Sequence, residues 1–246
     1  MNRHLTALPV YNEAGSVNQV LDQVSRFSSR VLVVNDGSTD GTAAALASRT
    51  DVTVVTHPVN RGYGAALMTA FDYAIREGCE LLVTIDCDGQ HEPQRINELV
   101  GKLEETGADI VSGSRYLKQW EENSRPPAQR RWINRQITAE INELLGFRLT
   151  DAFCGFKAYR VEALRSLDLQ ETGYAMPLEL WVQAACHQLK IVEVAVPLIY
   201  LDENRSFGGD LDNAATRLNY YHEILQRSLD RLPPKCDDMP TRELAG

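Results

Sequence analysis

The sequence predicts an α/β protein whose mainly parallel sheet carries helices on both faces. Three observations lead there. Short apolar runs alternate with longer amphipathic segments through the first half of the chain. The run 30–35 (Arg-Val-Leu-Val-Val-Asn) is apolar without alternation, as a strand covered on both faces must be. Polar, turn-forming residues gather just after the apolar runs, where ligands of open α/β sheets bind.

Residues 4–9 form a short apolar strand, and 14–27 a helix with Val17, Val20, Leu21 and Val24 on one face. Strand 30–35 ends in turn chemistry, Asp36-Gly37-Ser38-Thr39-Asp40-Gly41-Thr42, leading into a helix that Asp40 or Thr39 caps. Strand 52–56, helix 62–77, strand 81–85, a helix over 92–105 with Pro93 in its first turn, and strand 108–112 continue the series. Strand–helix units in series call for crossover connections and parallel pairing.

After Tyr116 the character changes. Segment 118–136 carries Lys118, Arg125, Arg130, Arg131 and Arg135 against Glu121 and Glu122, with Pro126-Pro127 inside. It reads as a basic loop running into a helix over 131–145. Segments 151–159 and 190–200 read as strands, with a helix over 177–188 between them. In 212–232, Ala214, Leu218, Tyr221, Leu225, Leu229 and Leu232 recur at spacings of three and four, an amphipathic helix. Its mild charge balance (Arg217, Arg227 and Arg231 against Glu223 and Asp230) suits packing on the domain. From 233 the chain is polar, with three prolines, and is expected to be disordered. The expected organisation is a domain over 1–211, a helix packed on it over 212–232, and a tail over 233–246.

A chain of 246 residues with 25 basic and 34 acidic side chains has a net charge of −9, which does not favour nucleic acid as a partner. No apolar run approaches the 18 or so residues of a membrane span, and the N-terminus shows no signal-peptide core. The five cysteines are odd in number and form no Cys-x-x-Cys pair, so free thiols in a reducing cytoplasm are expected. The expected location is therefore cytoplasmic, with peripheral contact at the inner face of the cell membrane left open.

The chemistry is expected after strand 81–85, in Asp86-Cys87-Asp88-Gly89-Gln90-His91. Alternation in an extended chain puts Asp86 and Asp88 on one face and turns Cys87 to the core. Two carboxylates that close repel by about 4 kcal/mol at 4 Å and an effective dielectric near 20. A divalent cation removes that penalty, and oxygen donors on a half-open site suit Mg²⁺ or Mn²⁺ completed by phosphates. Other strand ends supply companions. Tyr11 offers a face for a base, acidic side chains can bind ribose or base edges, and Gly62 and Gly64 let backbone approach a diphosphate. Simpler readings also exist. Asp36-Gly37-Ser38 serves equally as a turn, His91 as a polar helix start, and His57 and His187 show no partner pattern. Gly62-x-Gly64 lacks the third glycine of a dinucleotide fingerprint and follows the wrong strand.

Taken in order, five motifs resemble glycosyltransferase family 2, and within it the dolichol-phosphate mannosyltransferase-like branch. They are Pro9-Val10-Tyr11-Asn12-Glu13, Asn35-Asp36-Gly37-Ser38, Asn60-Arg61-Gly62-Tyr63-Gly64, Asp86-Cys87-Asp88-Gly89-Gln90-His91 and Gly113-Ser114-Arg115-Tyr116. The resemblance continues through Asp151–Lys157 and 193–197 to Asn204-Arg205-Ser206. It implies a GT-A fold, Rossmann-like, and an inverting, metal-dependent transfer from a nucleotide-sugar. By position it implies that Pro9, Tyr11, Glu13, Asp36, Arg61, Gly62, Asp86 and Asp88 hold the donor. Asp86, Asp88 and Gln90 would surround the cation. Asp88, Arg115, Arg131, Glu179 and Arg205 would serve catalysis and the acceptor, with Arg130 an alternative to Arg131.

The implied donor is GDP-mannose and the implied acceptor a polyprenyl or dolichyl phosphate, whose oxygen is already an anion and needs no base. A UDP-sugar and a hydroxyl acceptor on a glycan, with Glu179 as base, is the alternative. A non-catalytic nucleotide-sugar-binding protein is a third reading.

Overall fold

A computed structural model of the chain describes residues 4–120, 124, 127–201, 209–233 and 236. Its strands are β1 (His4–Val10), β2 (Val31–Asn35), β3 (Thr53–Thr56), β4 (Leu81–Thr84), β5 (Ile110–Ser114), β6 (Lys157–Arg160) and β7 (Ile191–Ala195). The helices are α1 (Val17–Val24), α2 (Thr42–Ala47), α3 (Tyr63–Arg76), α4 (Ile96–Thr106), α5 (Ala128–Leu145), α6 (Val161–Leu164), α7 (Met176–Cys186) and α8 (Ala214–Asp230).

One sheet runs in the order β3-β2-β1-β4-β6-β5-β7. The pairs β2–β3, β1–β2, β1–β4 and β5–β7 are parallel, while β6 is antiparallel to both its neighbours. The α/β class and the mainly parallel sheet agree with the sequence. The strand expected over 151–159 shortens to β6, and 151–156 becomes a loop. That loop crosses the edge of the sheet where β4 ends, since Lys157 pairs with Thr84. The chain therefore enters β6 from the tips of the parallel strands and must run against them.

Period-2 alternation divides the strand side chains between two cores. Leu5, Ala7, Leu32, Val34, Leu82 and Tyr159 join α3, α5, α7 and α8 on one face. Leu8, Val10, Val31, Val33, Val83 and Ala158 join α1 and α4 on the other. Cys87 is buried in the second core, so its neighbours Asp86 and Asp88 face away from it. Asp40 does serve the start of α2. Its carboxylate accepts from the N–H groups of Thr42 (2.8 Å) and Ala14 (3.1 Å), although the residue at the cap position is Gly41.

Two expectations are corrected here. The helix over 131–145 begins earlier, at Ala128, directly after Pro127, whose ring suits the entry to a helix. The cysteines are not all free thiols. Cys186, at the end of α7, is bonded to Cys236, with their Cα atoms 5.0 Å apart. Packing of α8 on α7 returns the chain to that point, so Cys236 is buried rather than part of a loose tail. Cys79, Cys87 and Cys154 are free and buried. No helix among the described residues is long and apolar enough to cross a membrane.

Candidate active site

Because β2, β1 and β4 are parallel neighbours, their carboxyl ends lie side by side, and they open on a cavity of about 540 Å³. Pro9, Tyr11 and Glu13 from the end of β1, Asp36 from β2, Gly62 before α3, and Asp86, Asp88 and Gln90 after β4 all line it. Tyr11 is 44% exposed, so its ring can take a stacked base. The Glu13 carboxylate accepts from the Ser16 hydroxyl (2.7 Å), which holds it at the rim.

Asp36 is buried and already engaged. Its Oδ1 accepts from His57 Nδ1 (2.6 Å) and from the Arg61 N–H (2.9 Å), and its Oδ2 from the Gly62 N–H (2.8 Å). A carboxylate has about four acceptor sites, which leaves room for a donor from a ligand. The sequence suggested no partner for His57, and here it is the principal one of Asp36. The Arg61 side chain is exposed and is not among the residues that line the cavity; its backbone N–H reaches Asp36. The glycines also serve the packing of a distant segment. A Cβ on Gly62 would lie 2.4 Å from the Thr172 carbonyl oxygen, and one on Gly64 would lie 2.3 Å from that of Glu171. Their missing side chains admit the 171–173 segment, and Gly62 also lines the cavity.

β4 ends at Thr84, so Asp86 and Asp88 sit in the turn beyond it. Asp86 accepts from the Tyr63 hydroxyl (3.0 Å) and pairs with His91 Nε2 at 3.4 Å. Burial by itself would raise the Asp86 carboxyl; the hydrogen bond and charge of His91 outweigh it and hold it below the usual range. His91 is thus a partner of Asp86. The Gln90 N–H donates to Asp88 (2.9 Å). Gly155 closes the floor, since a Cβ there would lie 2.3 Å from Asp86 Oδ2.

This donor set fits a hard divalent cation. Two carboxylates and an amide lie in one turn, and the buried Nδ1 of nearby His91 has no hydrogen-bond partner among the described residues. Among the described residues no group of three or more His, Cys, Asp or Glu side chains would enclose an ion alone. An open set that leaves positions for phosphate oxygens is what Mg²⁺ or Mn²⁺ with a nucleotide requires.

Basic and aromatic residues complete the lining. Arg115, at the end of β5, forms a bidentate pair with buried Asp151 (2.6 and 2.9 Å), which Asn134 also contacts (2.9 Å). Burial would lower the Arg115 guanidinium, but Asp151 raises it well above the usual value. Arg130 lines the cavity with its guanidinium 5.6 Å from the Tyr200 ring centre, whereas Arg131 is exposed and does not line it. Successive residues on a helix point about 100° apart, so α5 could present only one of them.

Glu179 is not at the cavity. It is buried, and its carboxylate accepts from the N–H groups of Gln170 (2.8 Å) and Glu171 (2.6 Å). A carboxylate committed to a loop is badly placed to take a substrate proton, which removes the support for the base role expected of it. Arg205 lies outside the described residues. Sequence reasoning missed Arg217 and Tyr221 of α8, which also line the cavity. It also missed Lys157, whose buried ammonium donates to the Cys154 carbonyl and lies 5.3 Å from the Trp181 ring. Burial lowers the pKa of this lysine.

A family model for glycosyl transferase family 2 matches residues 6–168. A polyprenol monophosphomannose synthase of Mycolicibacterium smegmatis is 32% identical over 209 residues, covering 79% of this chain and 76% of the relative. An undecaprenyl-phosphate mannosyltransferase of Micrococcus luteus is 30% identical over 232 residues, covering 88% and 92%. The fold is shared with a glucosyl-3-phosphoglycerate synthase of Mycobacterium tuberculosis, solved with Mn²⁺, UDP-glucose and phosphoglyceric acid. The TM-score is 0.73 at 23% identity, over 94% of this chain and 81% of that one.

Proposed function

The chain belongs to glycosyl transferase family 2, and we propose that it moves mannose from GDP-mannose to a polyprenyl phosphate, with inversion at the anomeric carbon. The observation that carries this reading is the meeting of acidic and basic side chains in one cavity. Asp36, Asp86 and Asp88 line it from the ends of β2 and β4, and Arg115, Arg130 and Arg217 line it from the end of β5, from α5 and from α8. Relatives named for transfer to polyprenol and undecaprenyl phosphate support the acceptor class.

Tyr11 and Asp36 hold the nucleoside, Tyr11 by stacking and Asp36 by accepting a hydrogen bond. Asp86, Asp88 and Gln90 are the residues that would hold a divalent cation, which when bound supplies Lewis-acid stabilisation to the departing diphosphate. An oxygen of the acceptor phosphate attacks the anomeric carbon from the face opposite the nucleotide. The new C–O bond forms as the bond to the diphosphate breaks, and the negative charge passes to GDP. The acceptor oxygen is already ionised near pH 7, so no side chain must remove a proton. The arginines of the lining orient it, which is where proximity lowers the barrier.

A hydroxyl acceptor with Glu179 as base is the weaker reading, because Glu179 is committed to the 170–171 backbone. Labelled GDP-mannose, Mn²⁺ and a short-chain polyprenyl phosphate test the proposal. Lipid-linked mannose is expected, and it should be lost on chelation and in Asp88→Asn. Absence of a lipid-linked product with every nucleotide-sugar tried would refute it.

A further inference from the structure

Glu171 belongs to no helix or strand and is 7% exposed, yet three helices meet on it. Its Oε1 accepts from the Tyr220 hydroxyl of α8 (2.6 Å) and from the Gly173 N–H (2.8 Å), and its Oε2 accepts from Arg227, also of α8. Its own N–H donates to Glu179 of α7 (2.6 Å). The backbone here rests on the start of α3. The Thr172 carbonyl accepts from the Ala65 N–H (3.1 Å), and a Cβ on Gly62 or Gly64 would collide with the Thr172 or Glu171 carbonyl. One step further, Tyr174 stacks on Tyr63 of α3, with ring centres 5.9 Å apart and planes 18° apart.

The start of α3 also holds two of the aspartates. The Gly62 N–H donates to Asp36 (2.8 Å) and the Tyr63 hydroxyl to Asp86 (3.0 Å). A buried carboxylate without donors is costly, so the donors gathered on Glu171 favour the one path of 171–174 that supplies them. Ligand-binding side chains keep their geometry only as well as the groups behind them are held.

On the reading of the cavity as a nucleotide-sugar site, we propose that Glu171 is a positioning residue for the donor. Anchored by Tyr220 and Arg227, it holds 171–174 against the start of α3. That keeps the Gly62 N–H and the Tyr63 hydroxyl where they orient Asp36 and Asp86 toward the nucleoside diphosphate. α8 then contributes to donor binding through this segment.

Calorimetry on the full chain with GDP and with UDP, each with Mn²⁺, tests this on variants whose fold is first checked by circular dichroism. Glu171→Ala should weaken nucleotide binding about tenfold. Glu171→Gln, which can still accept from Tyr220 and Gly173, should lose less. In mannose transfer the donor KM should rise by the same factor while kcat moves little. Tyr63→Phe should also weaken binding. Combined with Glu171→Ala it should lose less than the product of the two single losses, because both act through Asp86. A folded Glu171→Ala that binds nucleotide like wild type, or losses that multiply in the double variant, would overturn the inference and leave the donor reading standing. Wild type that binds UDP alone, with the same loss in Glu171→Ala, refutes GDP-mannose and keeps the positioning role. Wild type that binds neither nucleotide refutes both. Should Glu171→Ala fail to fold, Tyr220→Phe and Arg227→Gln decide: unchanged affinity in both overturns the inference.

Discussion

His57 Nδ1 lies 2.6 Å from Asp36 Oδ1, with both side chains buried, while His57 Nε2 meets the Thr69 hydroxyl at 2.9 Å. The imidazole is therefore anchored at both ends, from the third strand's exit to α3. It sets the plane in which the Asp36 carboxylate meets a nucleoside. His57→Ala should raise the dissociation constant for GDP about tenfold, or about 1.4 kcal/mol. Turnover at saturating donor should change much less. Calorimetry together with a KM and kcat series checks this, and an unchanged GDP affinity would remove the positioning role.

The Asp151 carboxyl is held at about 2. Burial alone would raise it, but Arg115 and the hydrogen bond from Asn134 prevail. An unfolded aspartate titrates near 3.9. The folded value is the lower one, so this stabilisation is complete above about pH 4 and is lost as pH falls through 2. It amounts to about 3 kcal/mol. Urea melts of wild type and Asp151→Asn between pH 2 and 7 check it. The variant should be less stable at pH 7 and show a flatter acid limb; parallel curves would contradict the assignment.

Two glycine substitutions should separate stability from activity. In Gly64→Ala the new Cβ would meet the Glu171 carbonyl 2.3 Å away, a backbone atom that cannot step aside. A marked fall in melting temperature is expected. In Gly155→Ala the obstacle is the Asp86 carboxylate, also at 2.3 Å, which can rotate. That variant should keep most of its stability and lose metal-dependent nucleotide binding. Thermal melts with and without Mn²⁺–GDP read both, and equal behaviour of the pair would count against this account.

The Cys186–Cys236 bond closes a loop with a sequence separation of 50. In the chain-entropy model such a loop stabilises the native state by about 4 kcal/mol. Dithiothreitol should lower the wild-type melting temperature to that of Cys236→Ser and leave the variant unaffected. Equal melting of wild type with and without reductant would show that the bond contributes nothing.

Much of the site was legible because it is local. Asp86, Cys87 and Asp88 come straight after β4, and the pattern of two acids around a buried cysteine persists into the turn that follows it. Pro9 at the end of β1, Tyr11 and Glu13 just after it, and Gln90 after β4 are likewise placed by their strands. Where a residue's task depends on a distant partner, the sequence was mute or misleading. Glu179 looked like a base until the N–H groups of Gln170 and Glu171 were seen to occupy it. Gly62 and Gly64 also make room for 171–173, a distant segment that their spacing does not announce.

By itself the sequence determined the family, the parallel order of the early strand–helix units and the acidic turn after β4. These follow from hydrophobic period and short-range spacing, which the chain carries along its own length. Only the tertiary structure decided that β6 enters the sheet backwards, that Arg130 and not Arg131 faces the cavity, and that His57 steadies Asp36. The same holds for Arg217, which returns from the last helix to the wall of the cavity. Each depends on which distant segments meet, and that is settled by packing against two shared cores rather than by neighbours in the chain.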